Sequence, residues 1–324
     1  MHSTGGATDV AAGEEPGRAA KTRRRVGPYI LITALDDPRT KLPVPERRYI
    51  ARSADGQHTV LLSLPQPGAD AQRFLTEADG SRYLLGPCAA PATALASPGE
   101  TAWYSRPYQP VLPLPTVLAV HGGPLPERTV RALGVALAET LAVLHGQGLT
   151  FAGVSPAGVL LAADGPRLSC FGAVRVAAPD GSSRSGLPGL EAGSLPPEQA
   201  SGGRPRPLGD VYALGATLAY AATGHTTPER EELPAAFRTV IARCLSRDPS
   251  GRPQLAELID VLSADTDTET GTGAGDRSAA LLTPGWFPGR VIAALAHQSA
   301  AVLTAEIPVE ATPAPPTSPL HHPN

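Results

Sequence analysis

The stretch "DVYALGATLAYAATG" (residues 210–224) is apolar or small on nearly every side of a helical turn. A helix of that kind has no face to offer water, so the rest of the chain must wrap it. Three neighbours have the right pattern. "PERTVRALGVALAETLAVLHGQG" sets Val130, Leu133, Leu137, Leu141 and Leu144 at helical spacing, with Pro126 before the first turn and Gly146 to end it. "LPAAFRTVIARCL" and "RPQLAELIDVL" read as two further amphipathic helices. Residues 113–263 therefore form a helical layer around a buried central helix.

The preceding part of the chain has a different period. "PYILITAL" and "RRYIARSADGQHTVLLSLP" alternate as strands do, the second folding as a hairpin about Asp55-Gly56. "DAQRFLTEADGSRYL" suits a short helix and "TAWYSRPY" another strand. Residues 27–112 are thus a small sheet carrying one helix, and the fold class is α+β, a β-rich lobe followed by a larger helical one.

With 324 residues a large core is available, whereas 34 Gly and 36 Pro imply many loops. Residues 1–26 and the Pro-rich 309–324 read as disordered tails, and 264–283 as a flexible polar linker. Between linker and tail, 284–308 forms a terminal helix with an apolar stripe through Val291, Leu295, Val302 and Leu303, preceded by Trp286. That stripe needs a cover, and the same chain is the expected one. A net charge of −3 argues against a nucleic-acid face, and Lys21-Thr22-Arg23-Arg24-Arg25 reads as a solvated tail. Cys88, Cys170 and Cys244 form no CxxC pair, so zinc and dithiol chemistry are not expected. Sparse cysteines fit a reducing cytoplasm. No signal-peptide core and no run of about 18 apolar residues is seen, so no membrane span is expected.

"GLTFAGVSPAGVLLAADGPRLSCFG" (148–172) has the frame of a small catalytic hairpin without reactive groups where chemistry would need them. Together with "LAVLHGQGL", "LPPEQASG", "DVYALGATLAYAATG" and "CLSRDPSGRP", taken in order, it resembles the protein kinase domain in its bacterial serine/threonine form, from Gly27 to about Leu262. The resemblance implies a two-lobed kinase-like fold. It puts the catalytic loop at Phe151-Ala152-Gly153 and Gly158, so the general-base and metal-binding Asn positions are both Gly. The metal-binding triplet falls on Cys170-Phe171-Gly172, and the phosphate-pairing Lys becomes Ser63. The phosphate-cradling Gly-rich loop falls in "LDDPRTKLPVPERRY", which has no Gly. Leu61 replaces the small residue over the adenine, and Arg106 stands near the back of that pocket, both blocking it.

Fold-holding positions persist: Glu77 on the small-lobe helix, without its cation; Phe171 between lobes; Glu198 paired with Arg252; Asp210 tying down the catalytic-loop backbone. The pattern implies a pseudokinase, a regulatory or scaffolding signalling module that binds a protein partner. It implies no cofactor, no metal and no ATP binding. Phosphoryl transfer rests on positioning and charge neutralisation, so losing this constellation leaves turnover near background. A weakly active or ATP-atypical kinase is the alternative. A remoter one is an α/β-hydrolase, suggested by "VLAVHGGP" (117–124) as a strand with an oxyanion turn and by Ser155 in "GVSPAG". That Ser has G-x-S-x-x-G spacing, whereas a nucleophile elbow needs G-x-S-x-G.

Overall fold

The computed structural model describes residues 24–264 and 277–305; the expected tail at 309–324, most of that at 1–26 and most of the expected linker lie outside the described residues. Strands β1 (Arg25–Val26), β2 (Tyr29–Ala34), β3 (Glu46–Ser53) and β4 (Thr59–Pro65) come first. They are followed by α1 (Ala71–Ser81), β5 (Ala94–Leu95) and β6 (Tyr104–Pro107), and the sheet runs in the order β1-β2-β3-β4-β6-β5. The β3–β4 hairpin turns at Gly56, whose φ of +76° favours glycine. Asp70 caps α1, its carboxylate accepting from the Gln72 and Arg73 amides, each at 3.0 Å. Because β1 pairs with β2, the small lobe starts ahead of Gly27, where the sequence placed its edge.

The large lobe contains β7 (Leu112–Pro113), α2 (Leu114–His121), α3 (Glu127–Gly146), β8 (Val159–Ala162) and β9 (Gly165–Leu168). It continues with α4 (Ala173–Ala177), α5 (Pro197–Ala200), α6 (Pro207–Thr223), α7 (Ala235–Cys244) and α8 (Leu255–Ser263). Strand β8 pairs with both β7 and β9. Helix α6, the segment apolar on all sides, is enclosed as its composition demands, and Leu214, Ala216, Leu218, Ala219 and Ala221 are fully buried. Gly215 lets it approach α7, since a Cβ there would meet the Cys244 Cβ at 2.4 Å. Helix α3 is long and apolar enough to cross a membrane by length and composition, but here its apolar face is the core of this lobe.

Two helices close the described chain. The end of the expected linker is a helix, α9 (Arg277–Leu281), anchored by Glu139 accepting from the Arg277 amide at 2.8 Å. The terminal helix, α10 (Gly289–Leu303), is shorter than 284–308. Its stripe also differs: Val291, Leu295 and Val302 are buried, whereas Leu303 is 77% exposed. Adjacent positions on a helix lie about 100° apart, so Val302 and Leu303 cannot both face inward.

Candidate functional site

Helix α10 docks on its own chain, against both lobes. Trp286 and Phe287, stacked at 4.5 Å, are buried in the large-lobe core with Val291 and Leu295. The Trp286 indole donates to the Ala163 carbonyl at 2.9 Å, and the Thr129 hydroxyl donates to the Trp286 carbonyl at 2.7 Å. At the far end Val302 enters a separate apolar cluster with Leu35, Ile50, Leu61, Val111 and Leu160. These residues come from the small-lobe sheet, the connection between lobes and β8. Leu61 is the position over the adenine in the kinase resemblance, so the chain's own Val302 packs into that cluster.

Polar contacts fix the docked helix. The Gln298 carboxamide accepts from the Val111 amide at 3.0 Å and the Tyr108 hydroxyl at 3.2 Å, and donates to the Val111 carbonyl at 2.8 Å. Arg52, on β3, donates to the carbonyls of Val302 at 2.5 Å and Ala305 at 3.2 Å. The interlobe backbone thus bonds to a side chain of the same molecule.

Ser63, where the kinase resemblance would put a lysine, is buried on β4 opposite Arg48 of β3. The Arg48 guanidinium is buried and committed: Nε donates to Asp36 Oδ2 at 2.9 Å, Nη2 to Asp36 Oδ1, and Nη1 to Ser169 Oγ at 3.2 Å. Burial is the strongest single influence and opposes its charge, but Asp36, Cys170 and Glu46 together outweigh it and the net shift is upward. Arg106, beside Leu61, is also buried; Nη1 donates to the Ala90 carbonyl at 3.1 Å and Nη2 to the Tyr104 hydroxyl at 3.3 Å.

The catalytic-loop backbone is held by Asp210, which accepts from the amides of Phe151 at 2.7 Å and Ala152 at 2.8 Å. His145 Nε2 lies 3.0 Å from the same carboxylate. Ala152 and Cys170, at φ of +53° and +68°, are the non-glycine residues in the left-handed region among those described. Such conformations cost on the order of 1–3 kcal/mol each and persist where neighbours enforce them. One consequence is the closeness of the two loops. A Cβ at Gly153 would lie 1.9 Å from the Cys170 carbonyl oxygen, and one at Gly158 would lie 3.0 Å from the Gly153 carbonyl oxygen. Position 153, the general-base position in the kinase resemblance, is therefore closed to any side chain in this conformation. Burial first, and the Glu46 charge second, push the Cys170 thiol up to about 12, so it is neutral at pH 7. Ser63, Gly153, Gly158 and Cys170 together hold no charge there.

Glu77 departs from expectation, because it has a cation. Arg175 of α4 grips it bidentately, both bonds 2.7 Å, donates to the Thr150 carbonyl, and lies over the Phe171 ring at 4.9 Å. The sequence reading looked for a lysine on the sheet and so missed an arginine 98 positions away. Phe171 meets Phe151 edge to face at 5.6 Å. Arg252 is fully buried and donates to both oxygens of the one-third exposed Glu198, at 2.6 and 2.9 Å. Burial raises the Glu198 pKa, but the Arg252 bond, a backbone hydrogen bond and the Arg252 charge together outweigh it, and the net shift is downward. Arg184 is another residue without a sequence signal. Fully buried, it ties the segment 178–203 to itself through the Ala178 and Gly203 carbonyls and the Asp180 carboxylate. The hydrolase reading fails locally: 114–121 is helix α2, and Ser155 is buried with its Oγ accepting from the Gly158 amide.

Comparisons with known proteins agree with this architecture. No protein-family model matches the chain. It is 32% identical over 265 residues to a probable serine/threonine-protein kinase, PkwA, of Thermomonospora curvata, covering 74% of this chain and 34% of that protein. To the serine/threonine-protein kinase AfsK of Streptomyces coelicolor it is 29% identical over 294 residues, covering 83% of this chain and 35% of that one. The chain thus spans about a third of the length of these relatives. Among solved structures, the PknI kinase domain of Mycobacterium tuberculosis superposes with a TM-score of 0.57 at 20% identity, covering 76% of this chain and 99% of that one. Read with the two lobes and the interlobe cleft, these likenesses identify the chain as carrying a protein kinase-like domain related to bacterial serine/threonine-protein kinases.

Proposed function

We propose that the chain is a pseudokinase: it transfers no phosphate, takes up no MgATP, and acts in the cytoplasm as a regulatory module that binds a protein partner. One observation carries the reading. The apolar cluster containing Leu61 is completed by Val302, while Gln298 occupies both backbone groups of Val111. An adenine ring would have to displace a docked helix. The uncharged set at Ser63, Gly153, Gly158 and Cys170 supports the same reading, since phosphoryl transfer needs groups that neutralise phosphate charge and position metal. The three cysteines are unpaired and buried, in keeping with a reducing compartment.

For the partner, the segment held by Arg184 is the best surface. Arg184 gives it a fixed shape, and Ser182, Ser183, Ser185 and Gly186 around it are exposed. Trp286 is not available for contact, being buried. The test is incubation of purified protein with γ-labelled ATP, Mg²⁺ and a generic basic protein acceptor. No incorporation into either protein is expected, and stoichiometric labelling that survives repurification contradicts the reading.

A further inference from the structure

Three large apolar side chains stand in water at one place: Tyr83, Leu85 and Val143, which are 72%, 59% and 42% exposed. Tyr83 and Leu85 belong to the loop after α1, and that loop is pinned at both ends. Leu84 enters the large-lobe core, and the Cys88 amide donates to Thr140 Oγ1 of α3 at 3.1 Å. Between them Gly86, at φ of +128°, lies so close to α3 that a Cβ would sit 2.9 Å from Thr140 Cγ2. A loop held this way cannot fold its two outward side chains back onto the surface. They form a fixed knob.

Beside the knob is a hole. Pro87, Ala142, Val143, Ala256 and Ile259 line an open groove of about 510 Å³ on α3 and α8, with room for more than one large side chain. Glu139, Asp260 and Arg277 also line it, which leaves one acid in excess. On the knob side, Arg82 is half exposed and reaches its neighbour Asp79 at 3.3 Å on the surface. The stretch that follows α8, 265–276, reads "DTDTETGTGAGD" and holds no large apolar side chain to cover the groove. Exposed apolar patches rimmed by polar groups mark interaction sites.

We propose that this face binds a second copy of the chain in a two-fold dimer, in which Tyr83 and Leu85 of each copy enter the α3–α8 groove of the other. A knob and a hole side by side on one surface are what a two-fold axis pairs, since in such an interface residue i meets j and j meets i. The excess acid of each groove receives Arg82, which flanks the incoming knob. An aromatic anchor such as Tyr83 is of the type enriched at interfaces. The inference does not depend on whether the interlobe cleft admits nucleotide, and the face is separate from the segment held by Arg184.

The experiment is sedimentation equilibrium of the full chain from about 1 to about 300 µM, a range that covers weak and moderate dimers. A monomer–dimer equilibrium is expected. Leu85→Lys and Val143→Glu, both at exposed positions, are each expected to weaken self-association at least about tenfold, the effect of roughly 1.4 kcal/mol per dimer, while circular dichroism stays that of the parent. Mixing the two variants is expected to restore the dimer. The mixed dimer has one unaltered knob-and-hole contact and one in which the new lysine meets the new glutamate. Should Val143→Glu fail to fold, Ala256→Glu on the other wall of the groove takes its place. A chain that stays monomeric throughout the range leaves the groove to another occupant and overturns the proposal. So does a dimer that neither variant weakens, or a pair of variants that remain monomeric when mixed.

Discussion

A methyl group at position 153 would collide with a carbonyl oxygen, and that collision bears on why the residue is glycine. Catalytic loop and Cys170 turn have closed to a distance that only a hydrogen side chain tolerates. Gly153→Ala is therefore expected to destabilise the fold by on the order of 3 kcal/mol, measured by chemical denaturation; an alanine variant as stable as the parent means the two loops are farther apart than described. Reinstalling Asp at 153 meets the same carbonyl, so it should damage the fold before it restores chemistry. The cysteines give a second expectation. Cys88, Cys170 and Cys244 are buried, with thiols pushed up by burial to about 11, 12 and 12. All three should be inert to a thiol reagent at pH 8 in the native protein and react fully once it is unfolded. Since the folded pKa values lie above the ordinary thiol value of about 8.5, this contribution to stability is complete below it. It falls as pH climbs toward 11–12, so the melting temperature should drop over that window. The uncharged residues at 63, 153, 158 and 170 were legible in the sequence. The contacts around them were not, because Arg175 and Arg48 belong to no motif and their partners are set by tertiary packing.

Among elements, the pair joining α5 to the turn before α8 is the clearest energetic case. Arg252 is fully buried and also donates to the Ser246 and Leu208 carbonyls, whereas Glu198 keeps one-third of its side chain in water. Solvent screening lowers the cost of losing the acid to about 1–2 kcal/mol for Glu198→Ala, against about 3 kcal/mol or more for Arg252→Ala. The double variant should cost less than the sum; strict additivity in a double-mutant cycle argues against direct coupling. Because Glu198 has a lowered folded pKa, its contribution is present above the ordinary glutamate range and is lost as pH falls through the folded value. Helix α10 tests a different contact. Deleting 284–324 removes Trp286, Phe287, Val291, Leu295 and Val302 from two apolar clusters, so melting temperature and solubility should both fall. A truncated protein that melts like the full chain means the dock contributes nothing. The apolar period of α10 was readable, but its phase was misjudged at Leu303, and no local signal pointed Gln298 at Val111.

At the scale of the whole molecule, two lobes and their order were legible because hydrophobic period switches from two to 3.6 near residue 112. What the period cannot carry is the relation between distant segments, here a C-terminal helix reaching a cleft built by residues more than 130 positions earlier. That relation underlies the central claim, a kinase-like scaffold whose nucleotide cleft is closed by its own chain. Thermal unfolding of the full-length protein with and without millimolar MgATP tests it most directly. A nucleotide bound at a hundredfold excess over its Kd stabilises a fold by about 2.7 kcal/mol, or roughly 5–10 °C for a domain of this size. The account predicts superimposable melting curves, and a reproducible, saturable rise of several degrees with MgATP would contradict it.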